Sequence, residues 1–93
     1  MNLPSYEEFC DQAMKNGYEE VIVREWKPNQ VVELHQHEFK VSALVVRGNF
    51  TLTIDGVSRE LSGGDRFELP KFKEHSEHYG SQGATFWVAR NYS

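Results

Sequence analysis

Apolar and polar positions along the chain follow two different periods, which meet near residue 19. In the first stretch Tyr6, Phe9, Cys10, Ala13 and Met14 fall at i, i+3, i+4, i+7 and i+8, one stripe of a 3.6-residue repeat. Ser5 followed three residues later by Glu8 is the pattern of a capping box, and Gly17 is a stop signal. These signals predict one short helix between Ser5 and Gly17 with its apolar stripe packed on the rest of the fold. Cys10 shares that stripe and has no basic or histidine neighbour in sequence, so it reads as a buried packing residue and not as a nucleophile.

From Glu20 onward the period shortens to two, and β-branched and aromatic residues are broken every eight to twelve positions by turn chemistry. The predicted strands are 20–26, 31–37, 40–47, 50–54, 57–61, 66–69, 75–79 and 84–90. Between them stand Lys27-Pro28-Asn29, Gly48-Asn49, Asp55-Gly56, Gly63-Gly64-Asp65, Pro70 and the stretch from Gly80 to Gly83. Asp55-Gly56, flanked by Phe50, Leu52 and Ile54 on one side and Val57 and Leu61 on the other, is the clearest two-residue hairpin. Short strands at this spacing predict an all-β sandwich or small barrel. The strand at 41–47 is apolar on both faces, with Val41, Ala43 and Val45 on one and Leu44 and Val46 on the other. One face is expected to line the barrel; the other needs a cover, either the helix or a second copy of the chain.

With 93 residues the chain is read as one domain, 1–93, divided into a helix and lead-in over 1–19 and a β-barrel over 20–91. A core this small is marginal, which together with the two-faced strand gives the expectation of a homodimer. A net charge of −4 argues against a nucleic-acid partner. The single cysteine closes no internal disulfide, and Ala43–Val46 is the longest aliphatic run. A cytoplasmic protein with no membrane span is expected.

The four histidines carry the candidate chemistry. His35 and His37 flank Gln36, and alternation along a strand would place both imidazoles on one face, about 6–7 Å apart along the backbone. Two imidazoles hold an ion weakly, and His75, at the start of a later strand beyond Pro70, is the natural third ligand. His78, three residues on, falls on the opposite face. A solvent-facing His-x-His pair with His75 as a surface partner of Glu74 explains the same spacing, so the pattern around the histidines has to decide.

That pattern resembles the cupin family of small β-barrels. In the register of its first signature, G-x5-H-x-H-x3,4-E-x6-G, stand His35, His37 and Gly48, with Asn29 in place of the opening glycine; in the second, G-x5-P-x-G-x2-H-x3-N, stand Gly64, Pro70 and His75, with Phe72 for the inner glycine and Tyr79 for the asparagine. The resemblance runs from about Glu20 to Asn91. It implies a double-stranded β-helix, or jelly roll, with a divalent metal on His35, His37 and His75. The signature glutamate falls on Val41, which cannot bind a metal, so the implied set is three neutral imidazoles, compatible with Fe, Zn, Ni, Mn or Cu. Glu33 shares strand parity with His35 and His37, and Glu77 with His75, so each is a candidate carboxylate, although a solvated charge explains either one.

Other chemistry is thin. No G-x-S-x-G elbow is present, and Gly63-Gly64-Asp65 opens a strand and lacks the features of a phosphate cradle. Arg66, Lys71 and Lys73 are candidates to favour an anionic ligand at the barrel rim, against the ordinary reading of a solvated loop. Trp26, Trp87, Phe86 and Tyr79 read as barrel packing, with one or two lining a ligand cavity. Two function classes follow: a metal-dependent enzyme of dioxygenase or isomerase type, with Glu33, Glu77 or Tyr79 as acid/base groups, and a non-enzymatic small-molecule sensor or dimerisation module.

Overall fold

In the computed structural model, which describes residues 3–93, the helix α1 runs Tyr6–Lys15. It begins where the capping box predicts: the Ser5 hydroxyl accepts from the Glu8 amide at 3.1 Å, and the Glu8 carboxylate accepts from the Ser5 amide at 2.8 Å. Six strands follow, β1 (Glu20–Trp26), β2 (Val31–His35), β3 (Lys40–Ile54), β4 (Val57–Ser62), β5 (Arg66–Leu69) and β6 (His75–Asn91).

The number of strands differs from the sequence expectation. Residues 40–47 and 50–54 form one long strand, and so do 75–79 and 84–90, because the turn residues between them act as bulges. The β3–β6 register shifts between Val45 and Arg47 and again between Gly48 and Phe50. Gly48 has φ +80° and lies so close to the Gly83–Ala84 backbone that a side chain there would strike the Gly83 carbonyl. Through these bulges the two long strands pass from one layer to the other. In one layer β1, the later half of β6, the earlier half of β3 and β5 lie side by side. In the other the order is β2, the earlier half of β6, the later half of β3, and β4. Asp55 and Gly56 close the β3–β4 hairpin with φ of +52° and +77°, the two left-handed residues of a type I′ turn.

The layers enclose a core of Val41, Ala43, Val45, Phe50, Leu52, Leu61, Phe67, Leu69, Tyr79, Ala84, Phe86 and Val88. The opposite face of β3 and β6 is covered from within the chain. Leu44 and Ala89 pack against Phe9 and Ala13 of α1, with Val21, Val46 and Trp87 at the margin. The strip that suggested a second copy is therefore sealed by the helix, and it supplies no argument for a dimer. The helical stripe is also narrower than predicted. Phe9 and Ala13 are buried, Cys10 is only half-buried, and Tyr6 and Met14 are exposed, since a helix lying on a flat sheet buries the middle of its stripe and leaves the margins in water. Among the described residues no helix is long and apolar enough to cross a membrane.

Candidate metal centre

The three histidines predicted to converge do so, by a route other than strand alternation. β2 ends at His35, and its pairing with β6 slips between Val32 and His35, so the parity that grouped Glu33 with the histidines is broken. The Glu33 side chain is exposed. What this residue brings to the site is its backbone carbonyl, which accepts from His35 Nδ1 at 2.7 Å. His37 lies beyond the strand, stacked on Phe39 with ring centres 4.8 Å apart and planes 14° apart. The Phe72 amide donates to the His37 carbonyl at 2.8 Å, which ties the segment after β2 to the segment before β6. Asn29 and Phe72, the residues standing where the signatures have glycine, have φ of 60° and 63°. The left-handed backbone is kept there without the residue that adopts it most easily.

His75 opens β6 and pairs across the sheet with His35. It is almost fully buried, and its Nδ1 faces the Lys73 carbonyl at 2.9 Å. His35 and His75 thus each donate Nδ1–H to a carbonyl two residues upstream, so Nε2 is the nitrogen that each ring turns to another partner. The ring centres lie 4.1 Å apart for His35–His75, 4.8 Å for His35–His37 and 5.2 Å for His37–His75. One nitrogen from each of the three lies within 4.8 Å of the other two. Nitrogens bound to one ion at about 2.0–2.1 Å stand about 3.0–3.4 Å apart, so a contraction of at most about 1.4–1.8 Å converts the cluster into a three-imidazole site. The donor set fits a divalent transition metal. His78 is exposed on the opposite face.

Of the two candidate carboxylates only Glu77 joins the cluster. Alternation from His75 along β6 carries it inward, where it is buried, and its Oε2 lies 3.4 Å from His75 Nε2 and 3.6 Å from His35 Nε2. Its Oε1 accepts a short hydrogen bond from the Tyr79 hydroxyl. Tyr79 is itself immobilised between Trp26 (4.9 Å, 15°) and Phe50 (5.2 Å, 14°). It acts by orienting Glu77.

The protonation states follow from these contacts. Burial raises the Glu77 carboxyl, but bonds from His75 and Tyr79 and the charge of His35 outweigh it, so the group stays below the usual carboxylate range. His75 is disfavoured as a cation by burial, yet Glu77 and the Lys73 carbonyl hold it above the ordinary imidazole value. His37 has no such carboxylate contact. Burial, then the charges of His35 and His75, push it down to about 4, and it is a neutral base at pH 7. Burial first, and the adjacent Glu77 charge second, raise the Tyr79 hydroxyl so that it remains a donor.

The cluster forms the polar wall of a cavity of about 70 Å³. Val41 lines the same cavity, so the residue in the signature-glutamate register offers a methyl surface near the histidines. Trp26 and Phe86 line it as well, whereas Trp87 packs under the helix against Tyr6 and Phe9. The cations expected at the rim are engaged elsewhere: Lys73 pairs with Asp55 at 2.6 Å, Lys71 donates to the Tyr92 carbonyl at 3.2 Å, and Arg66 lies over the Phe9 ring. Arg24 and Arg90, which the sequence reading passed over, line the cavity in their place. Arg24 shares strand parity with Ile22 and Trp26 and Arg90 with Phe86 and Val88, a signal present in the alternation of β1 and β6.

A two-layer jelly roll carrying inward histidines from two separated strands is the architecture of a cupin, and comparison with solved structures agrees. The cupin domain of Cnp3 from Schizosaccharomyces pombe superposes with a TM-score of 0.70 at 12% identity, over 76% of this chain and 53% of that one. An RmlC-like cupin from Shewanella frigidimarina gives 0.64 at 25% identity, over 76% and 66%. The polyketide cyclase RemF from Streptomyces resistomycificus gives 0.66 at 21% identity, over 86% and 60%. By fold the chain is a small cupin. It spans from about half to two thirds of the length of these three chains. No protein-family model matches the sequence, and no curated protein does.

Proposed function

We propose that this cupin binds one divalent metal ion through His35, His37 and His75 and takes a small molecule in the cavity beside it. The observation that carries this reading is the approach of one nitrogen from each of His35, His37 and His75 to within 4.8 Å of the other two, with Nδ1 of His35 and His75 held on backbone carbonyls so that Nε2 is left for an ion. When bound, a divalent ion supplies Lewis acidity toward a ligand oxygen. Three imidazoles suit Fe, Zn, Ni, Mn or Cu in the divalent state. The chain's own residues do the rest. Glu77, oriented by Tyr79, presents Oε2 as the one buried carboxylate oxygen able to take or return a proton on a ligand in the cavity. Trp26, Phe86 and Val41 give the cavity apolar lining. One observation favours the second reading, a metal-free small-molecule binder: Glu77 Oε2 lies 3.4 Å from His75 Nε2 and 3.6 Å from His35 Nε2, so the carboxylate itself can partner the nitrogens that would otherwise face a metal.

Elemental analysis of untagged protein purified without chelator, then reloaded with zinc or iron, separates the two. The metal reading expects one ion per chain, abolished in His75→Ala and unchanged in His78→Ala. Absence of metal after reloading, or equal loss in both variants, contradicts it.

A further inference from the structure

The cavity is cationic as well as imidazole-lined, and of its two guanidiniums one is unpaired among the described residues and the other only loosely paired. Arg24 enters no ion pair among the described residues; its guanidinium carbon lies 4.5 Å from the centre of the Trp26 ring. Arg90 is held in the same way over Phe39 at 4.5 Å, and its Nη1 donates to Glu20 Oε1 in a long contact of 3.4 Å. A guanidinium resting on an aromatic face is fixed in place while its N–H groups stay free for a planar anion. Two cavity-lining residues each carry a buried donor without a partner, Trp26 Nε1 and Arg90 Nε. Buried donors are almost always paired in folded proteins, so two orphans around one small cavity mark a place short of acceptors. The one carboxylate of the cavity, Glu77, is already engaged by Tyr79 and the histidines. Phe67, Leu69, Phe86 and Val88 make the remaining wall apolar.

We infer that the cavity ligand is a small carboxylic acid with an apolar body, its carboxylate received by Arg24 and Arg90 and its body laid against Phe67, Phe86 and Val88. This deepens the proposed function by naming the ligand class of the same cavity. Charge favours an anion: Arg24 has no carboxylate partner among the described residues, Arg90 has only a long contact to Glu20, and Glu77 is taken up by Tyr79 and the histidines. The size and apolar wall select a monocarboxylate over inorganic phosphate, whose further oxygens would be stripped of water with nothing to replace it.

The test uses propionate, its neutral isostere propionamide, and inorganic phosphate as probes, followed through the Trp26 indole resonance of 15N-labelled protein, zinc-loaded and metal-free. Propionate should bind at least tenfold more tightly than propionamide and more tightly than phosphate. Arg24→Gln should weaken propionate about tenfold with melting temperature and zinc content unchanged, and Arg90→Gln should do the same. Arg59→Gln, which removes an exposed charge on β4, should have no effect. Equal binding of propionate and propionamide, stronger binding of phosphate, or equal loss in Arg24→Gln and Arg59→Gln would overturn the inference. If wild type binds no zinc, the histidine reading fails, and the propionate-to-propionamide ratio in the metal-free protein still decides this one.

Discussion

The two faces of the β3–β6 pair are built from similar aliphatic and aromatic residues and finish differently. On the outer face Leu44 and Ala89 meet Phe9 and Ala13, and the cluster closes on itself. On the inner face the same strands place Val41 and Val88 beside Arg24, Arg90, three histidines and Glu77, around a cavity whose lining keeps two unpaired donors. An unsatisfied buried donor costs about 1–3 kcal/mol, so the inner face gives up stability that the outer face retains. Both donors belong to residues that line the cavity proposed to receive the ligand. The contrast sets a face of closed apolar packing against one that keeps polar groups around a cavity.

Mutation of either side tests that division. The largest effect is expected on the outer face, where Phe9→Ala leaves a void under the helix and should cost about 3–5 kcal/mol in chemical denaturation while one metal ion per chain is still bound. Metal loss in the folded variant would show that the faces are coupled. Val41→Glu is expected to act the other way, on the inner face alone. It adds a second buried carboxylate to the cavity of Glu77, and should destabilise the metal-free protein by about 3 kcal/mol, equivalent to a rise of about two pH units in a carboxyl pKa. A divalent ion offsets that charge, so the gap in melting temperature between metal-loaded and metal-free forms should widen well beyond wild type. An unchanged gap would mean that residue 41 does not face the metal.

A smaller effect separates the faces by pH. Burial and neighbouring charge depress folded His37 from the ordinary imidazole value near 6.5 to about 4. Below 6.5 the unfolded chain takes a proton that the folded one refuses. The stability of the metal-free protein that depends on neutral His37 is therefore complete above 6.5 and is lost as pH falls toward 4. Melting curves of metal-free wild type between pH 7.5 and 4.5 should fall more steeply than those of His37→Gln; parallel curves would remove His37 from the buried cluster.

Local signals reported local structure faithfully. Ser5 and Glu8 form the capping box, and Asp55-Gly56 makes the hairpin, because both rest on contacts within four residues. The same turn chemistry misled at Gly48-Asn49 and from Gly80 to Gly83, where small residues serve close approach between two long bent strands; only the partner strand distinguishes a bulge from a turn. At the site, the spacing of His35, His37 and His75 was readable, and the inward parity of Glu77 was too. Glu33 was misplaced because a bulge in β2 cancels alternation. Arg24 and Arg90 were overlooked because charged residues in strands are ordinarily solvated; what holds them at the cavity is stacking on Trp26 and Phe39. Phe39 is far from Arg90 in sequence and shares no motif with it.

The most direct measurement of the central claim is anomalous diffraction at the zinc edge from crystals of the zinc-loaded protein. One peak is expected per chain, about 2.0–2.1 Å from Nε2 of His35, Nε2 of His75 and a ring nitrogen of His37. A loaded crystal with no peak in the cavity, or with its zinc on His78 at the surface, would contradict the assignment of the three histidines as a metal centre.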